Sequence, residues 1–169
     1  MGMDVSGNNP KINKGKDHYK MYFKWDNIDW NARENEKNEE WEKEKDLFYS
    51  EYDKYHEDNK GVYFRNNCWW WRPLWDFCHH IAPELIDEEL WDSGHHNDGA
   101  GLNEEDSAKL SVKLMVSVED GTAEMYEDEV KLINEQKEAD GDNFTYPFSV
   151  ENVKRFATFC LESGGFSIY

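Results

Sequence analysis

Residues 64–75 constrain the fold of this chain more than any other stretch, because they concentrate its largest side chains. Four of the eight tryptophans fall within seven residues there. Apolar residues continue beyond them at helical spacing, which predicts a helix with one broad buried face. That face consists of Trp71, Leu74, Trp75, Cys78 and Ile81.

The start of this helix is predicted from its proline. Pro73 is easiest to accommodate in the first turn of a helix, where its missing N–H costs nothing. We therefore expect the helix to begin near Trp71 or Arg72. On this interpretation Trp69 and Trp70 precede the helix.

The rest of the chain predicts a mainly α fold of the α+β type, with about five helices and a small sheet of short N-terminal, central and C-terminal strands. Helical patterns lie at 35–58, 69–81, 84–92, 103–118, 122–138 and from Ser149 to Gly164. Strand patterns lie at Met1–Val5, at Tyr19–Trp25 and at Phe166–Tyr169. The apolar termini are expected to pair, and the helix at 103–118 is expected to bury Ala108, Val112, Leu114 and Met115.

Length and composition indicate one domain of 169 residues. Segment 11–60 is predicted to be an insertion that carries a charged surface helix at about 35–58. The odd number of cysteines, three, favours free thiols and a reducing cytoplasm over a disulfide framework. No apolar run has the length of a membrane span.

The charge of the chain restricts its partners. The formal net charge is −18, and residues 83–142 hold 19 acidic residues against 4 lysines. Nucleic acids and membrane surfaces are themselves anionic, so we expect no direct nucleic-acid binding and no membrane binding. The charge fits either a highly soluble protein or one that imitates a polyanion.

The first candidate site is the tryptophan-rich segment, which also carries arginines. Arg65 and Arg72 can bind an anion through their planar guanidinium groups, while Trp69 or Trp70 stacks on a flat ring. Asn67 lies in the loop that leads to the helix. The alternative is structural: Trp71, Leu74 and Trp75 are core, and Arg72 pairs with Asp76 or another buried acid.

The second candidate site is the loop Gly94–Gly101, where three glycines permit close approach to a ligand. Its polar residues are His95, His96, Asn97 and Asp98. They supply donors, acceptors and groups that titrate near neutral pH. Metal binding with His79 or His80 is an alternative, but none of the usual zinc spacings is present, so we expect no metal and no cofactor. A purely structural loop is a further alternative.

These motifs resemble a family of small uncharacterised proteins of bacteriophages and prophages. The likeness rests on Met1–Val5 with Gly7 and Pro10, Gly61 with Tyr63–Arg65, Trp69–Leu74, Ser93–Leu102, Phe148–Val153 and Ser163–Phe166. The resemblance implies a phage origin, the host cytoplasm as location, and an insertion at 11–60. Some relatives carry a cysteine-rich, zinc-ribbon-like insert before the last helix, whereas residues 134–147 of this chain contain no cysteine.

Three hypotheses of function follow. The first is a phage protein that binds a small anionic, nucleotide-like ligand in a Trp/Arg/His pocket and so sequesters a host immune signal. The second is an acidic protein that inhibits a host protein by imitating nucleic acid. The third is a metal-assisted hydrolase built on His95, His96 and Asp98. The first is favoured, and the protein is expected to be a binder more than an enzyme.

Overall fold

The computed structural model describes residues 2–25, 39–141 and 144–169. Its contacts divide the chain into two compact units. Residues up to Lys11 together with Lys60–Tyr169 form the main unit, and Ile12–Asn59 form the second, called here the 12–59 unit. The second unit has nearly the bounds of the predicted insertion.

The main unit is mainly helical with a small antiparallel sheet, which confirms the predicted fold class. Its strands are β1 (Gly2–Gly7), β2 (Tyr63–Asn67), β3 (Gly101–Leu102) and β4 (Phe166–Ile168). Its helices are α3 (Cys68–Ile81), α4 (Glu88–Ser93), α5 (Glu104–Glu119), α6 (Thr122–Ala139) and α7 (Val150–Glu162). The 12–59 unit contains a short 3₁₀ turn (Lys16–His18), α1 (Lys20–Trp25) and α2 (Glu39–Asp58).

The sheet joins the two ends of the chain, as the apolar termini predicted. The strand order is β2-β1-β4-β3, with antiparallel pairing throughout. Val5 lies opposite Phe64 on one side and Ile168 on the other. All three side chains are buried, so the sheet presents one apolar face to the helices.

The start of α3 corrects the sequence prediction. The helix begins at Cys68, so Trp69 and Trp70 lie inside it, and Pro73 is an interior residue. The side chain of Asn67 caps the helix by accepting hydrogen bonds from the backbone N–H groups of Trp69 and Trp70, each at 3.1 Å. The asparagine cap was therefore a better guide to the helix start than the proline.

The segment Tyr19–Trp25 is also corrected, because it forms the helix α1 instead of a strand. Tyr19, Tyr22 and Phe23 have the i, i+3, i+4 spacing of one helical face. The Tyr22 ring packs against Phe48 and Tyr55 of α2, with centroids 5.8 and 5.3 Å apart. The narrow apolar stripe of α2 is thus covered within the 12–59 unit itself; residues 35–38 of the predicted helix lie outside the described residues.

The buried face of α5 differs in part from the one predicted. Leu114 is buried as predicted and Ala108 is half-buried, but Val112 and Met115 are 60 % and 38 % exposed. The other buried residues are Ser107, Leu110, Ser111 and Ser117. The hydroxyl of Ser111 donates to the backbone oxygen of Ala157 on α7 at 2.7 Å. A face of serines is small enough for α5 and α7 to pack closely, which the hydrophobic pattern did not indicate.

Candidate functional site

A cavity of about 440 Å³ lies in the main unit between α3 and α6, and is called here the α3–α6 cavity. Helix α4 and the start of the 94–101 loop complete its walls, together with Tyr146 from the segment before α7. Its volume lies within the range of small-molecule sites, roughly 300–1,000 Å³. It contains both cationic and acidic side chains beside aromatic rings.

Helix α3 has two faces, and each has its own role. Trp71 and Trp75 are fully buried in the core, and their rings stack with centroids 5.4 Å apart. Arg72 and Asp76 follow these tryptophans by one residue each, so they share the adjacent face at i, i+4 spacing. Both line the cavity with Pro73.

Helix α6 forms the opposite wall through residues that recur at helical spacing. These cavity residues are Tyr126, Val130, Ile133, Asn134 and Lys137. Burial, together with the nearby carboxylates of Asp76 and Glu129, raises the pKa of Tyr126 to about 12. The phenol therefore remains a neutral hydrogen-bonding group at physiological pH.

The cationic end of the cavity is built around Tyr146. Arg72 Nη1 donates a hydrogen bond to the Tyr146 hydroxyl at 2.9 Å. The Arg72 guanidinium carbon lies 5.8 Å from the centroid of that ring, and Lys137 Nζ lies 5.4 Å from it. Asn134 fixes the Tyr146 backbone, donating to its oxygen at 3.0 Å and accepting from its N–H at 3.2 Å. The Tyr146 ring thus lies within cation–π distance of both positively charged side chains.

Neither of these cations forms an ion pair with an acidic residue that the structure describes. Among residues 2–25, 39–141 and 144–169, no carboxylate lies within 4 Å of the charged nitrogens of Arg72 or Lys137. The predicted structural alternative, an Arg72–Asp76 ion pair, is therefore not present. Both positive charges are available to a ligand in the cavity.

The acidic end of the cavity is organised around Asp76. Its Oδ1 accepts a hydrogen bond from Trp91 Nε1 at 2.8 Å, and His95 Nε2 lies 3.3 Å from the same oxygen. The Trp91 and His95 rings meet edge to face, with centroids 5.1 Å apart. Asp92 and His96 also line the cavity. The Asp76 carboxylate is thus held in one orientation.

Gly94 sets the position of the histidines that follow it. A Cβ atom at this residue would lie 2.2 Å from Nε1 of Trp75, so only glycine fits against the indole. The Gly94 backbone oxygen accepts a hydrogen bond from Trp71 Nε1 at 2.8 Å. Two core tryptophans therefore anchor the backbone from which His95 projects toward Asp76.

The cavity brings together three of the predicted site residues: Arg72 from the tryptophan-rich segment, and His95 and His96 from the glycine loop. Trp69 lies beside it. Its ring contacts Tyr146 at 5.3 Å between centroids and stacks on Phe144 at 5.7 Å. The half-buried Trp70 is not among the lining residues.

Four further predicted site residues lie outside the cavity lining. Arg65 pairs with Asp4 on the sheet, with Nε 3.4 Å from Oδ1. Asn67 is the α3 cap. The Asn97 amide donates to the Gly2 backbone oxygen at 3.4 Å, and Asp98 accepts from the backbone N–H of Ala100 at 3.2 Å.

Sequence reasoning missed most of the partners of Arg72 and His95. Asp76 had a usable signal, because it follows Arg72 by one helical turn. Tyr146 lies 74 residues from Arg72 and Trp91 lies 15 residues from Asp76 in sequence, so neither contact had a local signal. Lys137 had none either, because it lies on a different helix from Arg72. Only the tertiary fold brings them to the cavity.

The other reactive side chains give no indication of chemistry. Within the described ranges, no group of three or more His, Cys, Asp or Glu residues is arranged to hold a metal ion. His79 Nδ1 lies 2.6 Å from the backbone oxygen of Ile86. Burial raises the pKa of the Cys78 thiol and of the Cys160 thiol well above the ordinary range, which leaves both as unreactive core thiols.

Comparison of this chain with family models, with curated proteins and with solved structures finds no match. In the part of the chain that the structure describes, no helix combines the length and the apolar character needed to cross a membrane. The arguments on function that follow therefore depend on the geometry of the α3–α6 cavity.

Proposed function

We propose that this protein binds a small ligand that carries an anionic group and a flat ring, as a nucleotide does, in the α3–α6 cavity. The observation that carries the proposal is the pair of cations at its aromatic end. Arg72 and Lys137 line one cavity without a carboxylate within 4 Å among the described residues, in a chain of net charge −18.

The positions of these cations suit an anion. A guanidinium group offers a planar fork of N–H donors that matches a phosphate or carboxylate, and the lysine ammonium adds a compact charge. The Tyr146 hydroxyl already accepts from one Arg72 nitrogen, so the guanidinium is oriented before a ligand arrives. Orientation in advance reduces the entropy cost of binding.

The aromatic side chains of the cavity support the second part of the ligand. Trp91, Tyr126 and Tyr146 all line it, and each has a half-buried ring. Stacking of a base on an aromatic side chain contributes roughly 1–3 kcal/mol. A ligand with a ring and an anionic group would contact both the aromatic side chains and the two cations.

The biological setting belongs to the same proposal. The resemblance to phage proteins supports a role in the host cytoplasm during infection. A binder without turnover would act there by sequestering an anionic signal of host immunity. The two other functions, an inhibitor that imitates nucleic acid and a metal-assisted hydrolase, stay predictions from the sequence.

Titration calorimetry with a panel of nucleoside monophosphates and inorganic phosphate tests the proposal. We expect at least one monophosphate to bind, and Arg72→Ala to weaken that binding by about 10- to 150-fold, the range for losing a charged hydrogen bond. Arg65→Ala is the matched control, because it removes an exposed arginine outside the cavity lining. Absence of binding across the panel contradicts the proposal.

A further inference from the structure

We infer that the Asp76 carboxylate recognises the ring of the ligand by accepting hydrogen bonds, and that the ring carries adjacent N–H donors, as guanine does. The inference rests on the proposed function and names the ligand class more closely. Asp76 was not among the candidate site residues of the sequence, although it follows Arg72 by one helical turn.

One oxygen of the Asp76 carboxylate is already engaged by neighbouring side chains. Trp91 Nε1 donates to Oδ1, and His95 Nε2 approaches the same atom. No donor lies within hydrogen-bond distance of Oδ2 among the described residues. The carboxylate is therefore fixed through one oxygen and leaves the other for a ligand.

Asp76 lies one helical turn from the cationic end of the cavity. Arg72 and Asp76 are separated by four residues of α3, which corresponds to a rise of about 6 Å along the helix. A ligand held by its anionic group at Arg72 and Lys137 can therefore place a ring beside Asp76. The anionic group of the ligand can then contact the two cations, while its ring contacts the Asp76 carboxylate.

An ionised carboxylate accepts hydrogen bonds and donates none. The Watson–Crick edge of guanine offers N1–H and the N2 amine side by side, and the free Oδ2, with its two lone pairs, can accept from both. The corresponding edge of adenine offers only the N6 amine next to the N1 acceptor, which the carboxylate repels. A fixed carboxylate therefore selects guanine over adenine, since unpaired or opposed polar groups are costly in a cavity.

The test compares guanosine, inosine and adenosine 5′-monophosphates by titration calorimetry on the full chain. We expect guanosine monophosphate to bind at least about tenfold more tightly than adenosine monophosphate, since a good donor–acceptor match discriminates bases by about 1–3 kcal/mol. Inosine monophosphate lacks the N2 amine and is expected to bind with intermediate affinity.

Asp76→Asn is the decisive variant, because its amide oxygen can still accept from Trp91 while its NH₂ group replaces the free acceptor. We expect it to bring the guanosine-to-adenosine affinity ratio close to one. Arg72→Ala should weaken both nucleotides by a similar factor and leave the ratio unchanged. Asp98→Asn is the control, because that carboxylate accepts from Ala100 outside the cavity lining.

The outcomes separate this inference from the proposed function. Equal affinities for the nucleotides in the wild-type protein, with binding still dependent on Arg72, overturn the inference alone. If Asp76→Asn leaves the guanosine-to-adenosine affinity ratio unchanged, the inference alone is again overturned. No binding of any monophosphate overturns both. The comparison of the three nucleotides needs no variant, so a folding defect of Asp76→Asn would leave the inference testable.

Discussion

At the scale of single residues, the contact between Gly94 and the core decides where the cavity histidines lie. The glycine lies against the Trp75 indole, and its backbone oxygen accepts from Trp71. His95 is the next residue and approaches Asp76 from that anchored backbone. One small residue thus connects core packing with the geometry of the site.

Gly94→Ala is expected to destabilise the main unit by about 1–3 kcal/mol, because the new methyl group would overlap the Trp75 ring. Urea unfolding followed by tryptophan fluorescence measures this change in the free energy of unfolding. Gly15→Ala is the control, since a Cβ there meets no atom within 4 Å. An unchanged unfolding midpoint for Gly94→Ala would contradict the described contact.

At the scale of elements, the packing of α5 on α7 depends on serines. Ser107 Oγ donates to the Cys160 oxygen at 2.8 Å, and Ser111 Oγ donates to the Ala157 oxygen at 2.7 Å. A serine side chain occupies little volume, and its hydroxyl is paired because it donates a hydrogen bond to a backbone oxygen of the neighbouring helix. The polar appearance of α5 in the sequence therefore conceals its buried side.

Substitutions at Ser111 test this interface. Ser111→Leu is expected to cost about 1–3 kcal/mol by forcing the two helices apart, whereas Ser111→Ala should cost about 1 kcal/mol through the lost hydrogen bond. Thermal unfolding followed by circular dichroism measures both. Val112→Leu is the matched control on the exposed side of α5; a stabilising effect of Ser111→Leu would contradict the close packing.

Within the 12–59 unit, a hydrogen bond from the Tyr19 hydroxyl to Asp58 Oδ2, at 2.5 Å, joins the start of the unit to the end of α2. This bond is the largest cause of the lowered pKa of Asp58, and Lys14 adds a second. Because the pKa of Asp58 is lower in the folded state than its unfolded value of 3.8, this carboxylate stabilises the folded state at pH values above 3.8. The stabilisation is lost as the pH falls through the folded pKa.

We therefore expect the 12–59 unit to lose stability below about pH 4, and Tyr19→Phe to raise the pKa of Asp58 toward 3.8. Titration of the carboxyl ¹³C resonance of Asp58 by nuclear magnetic resonance measures the change. Tyr49→Phe, which alters a half-exposed tyrosine of α2, is the control. An unchanged Asp58 titration in Tyr19→Phe would show that the hydrogen bond is not made.

At the scale of the whole molecule, the chain consists of two compact units that each have their own packing. The main unit contains the sheet, the tryptophan helix and the cavity. The 12–59 unit packs its aromatic rings on one another, and the buried Asn59 closes it by accepting from the backbone N–H groups of Asn13 and Lys14. The ends of this unit therefore lie close together.

Deletion of residues 12–59, with a short Gly/Ser linker between Lys11 and Lys60, is expected to leave a folded main unit. No residue of the cavity lining is removed, so nucleotide affinity should change less than about threefold. Circular dichroism and calorimetry measure these properties. Trp71→Ala in the shortened chain is the contrasting variant, expected to lose about 3–5 kcal/mol; an unfolded deletion variant would contradict the division.

Much of the fold could be predicted from the sequence because its signals are local. Asn103 and Ser149 cap α5 and α7 as their positions indicated, and Gly164 and Gly165 follow the end of the last helix. The predictions that were wrong involved competing local signals. The start of α3 was placed from Pro73, whereas the Asn67 cap sets it, and Tyr19–Trp25 was assigned to a strand although its aromatic residues have helical spacing.

The sequence by itself determined the helices with strong caps, the apolar strands at the two ends, and an acidic surface, since each follows from neighbouring residues or from composition. The tertiary structure alone decided that Trp91, Lys137 and Tyr146 share a cavity with Arg72, Asp76 and His95. Contacts between distant segments arise from how buried faces fit together, and side-chain periodicity along one segment carries no information about its partner. The serine face of α5 follows the same principle, because a buried hydroxyl depends on an acceptor that only the packed neighbour provides.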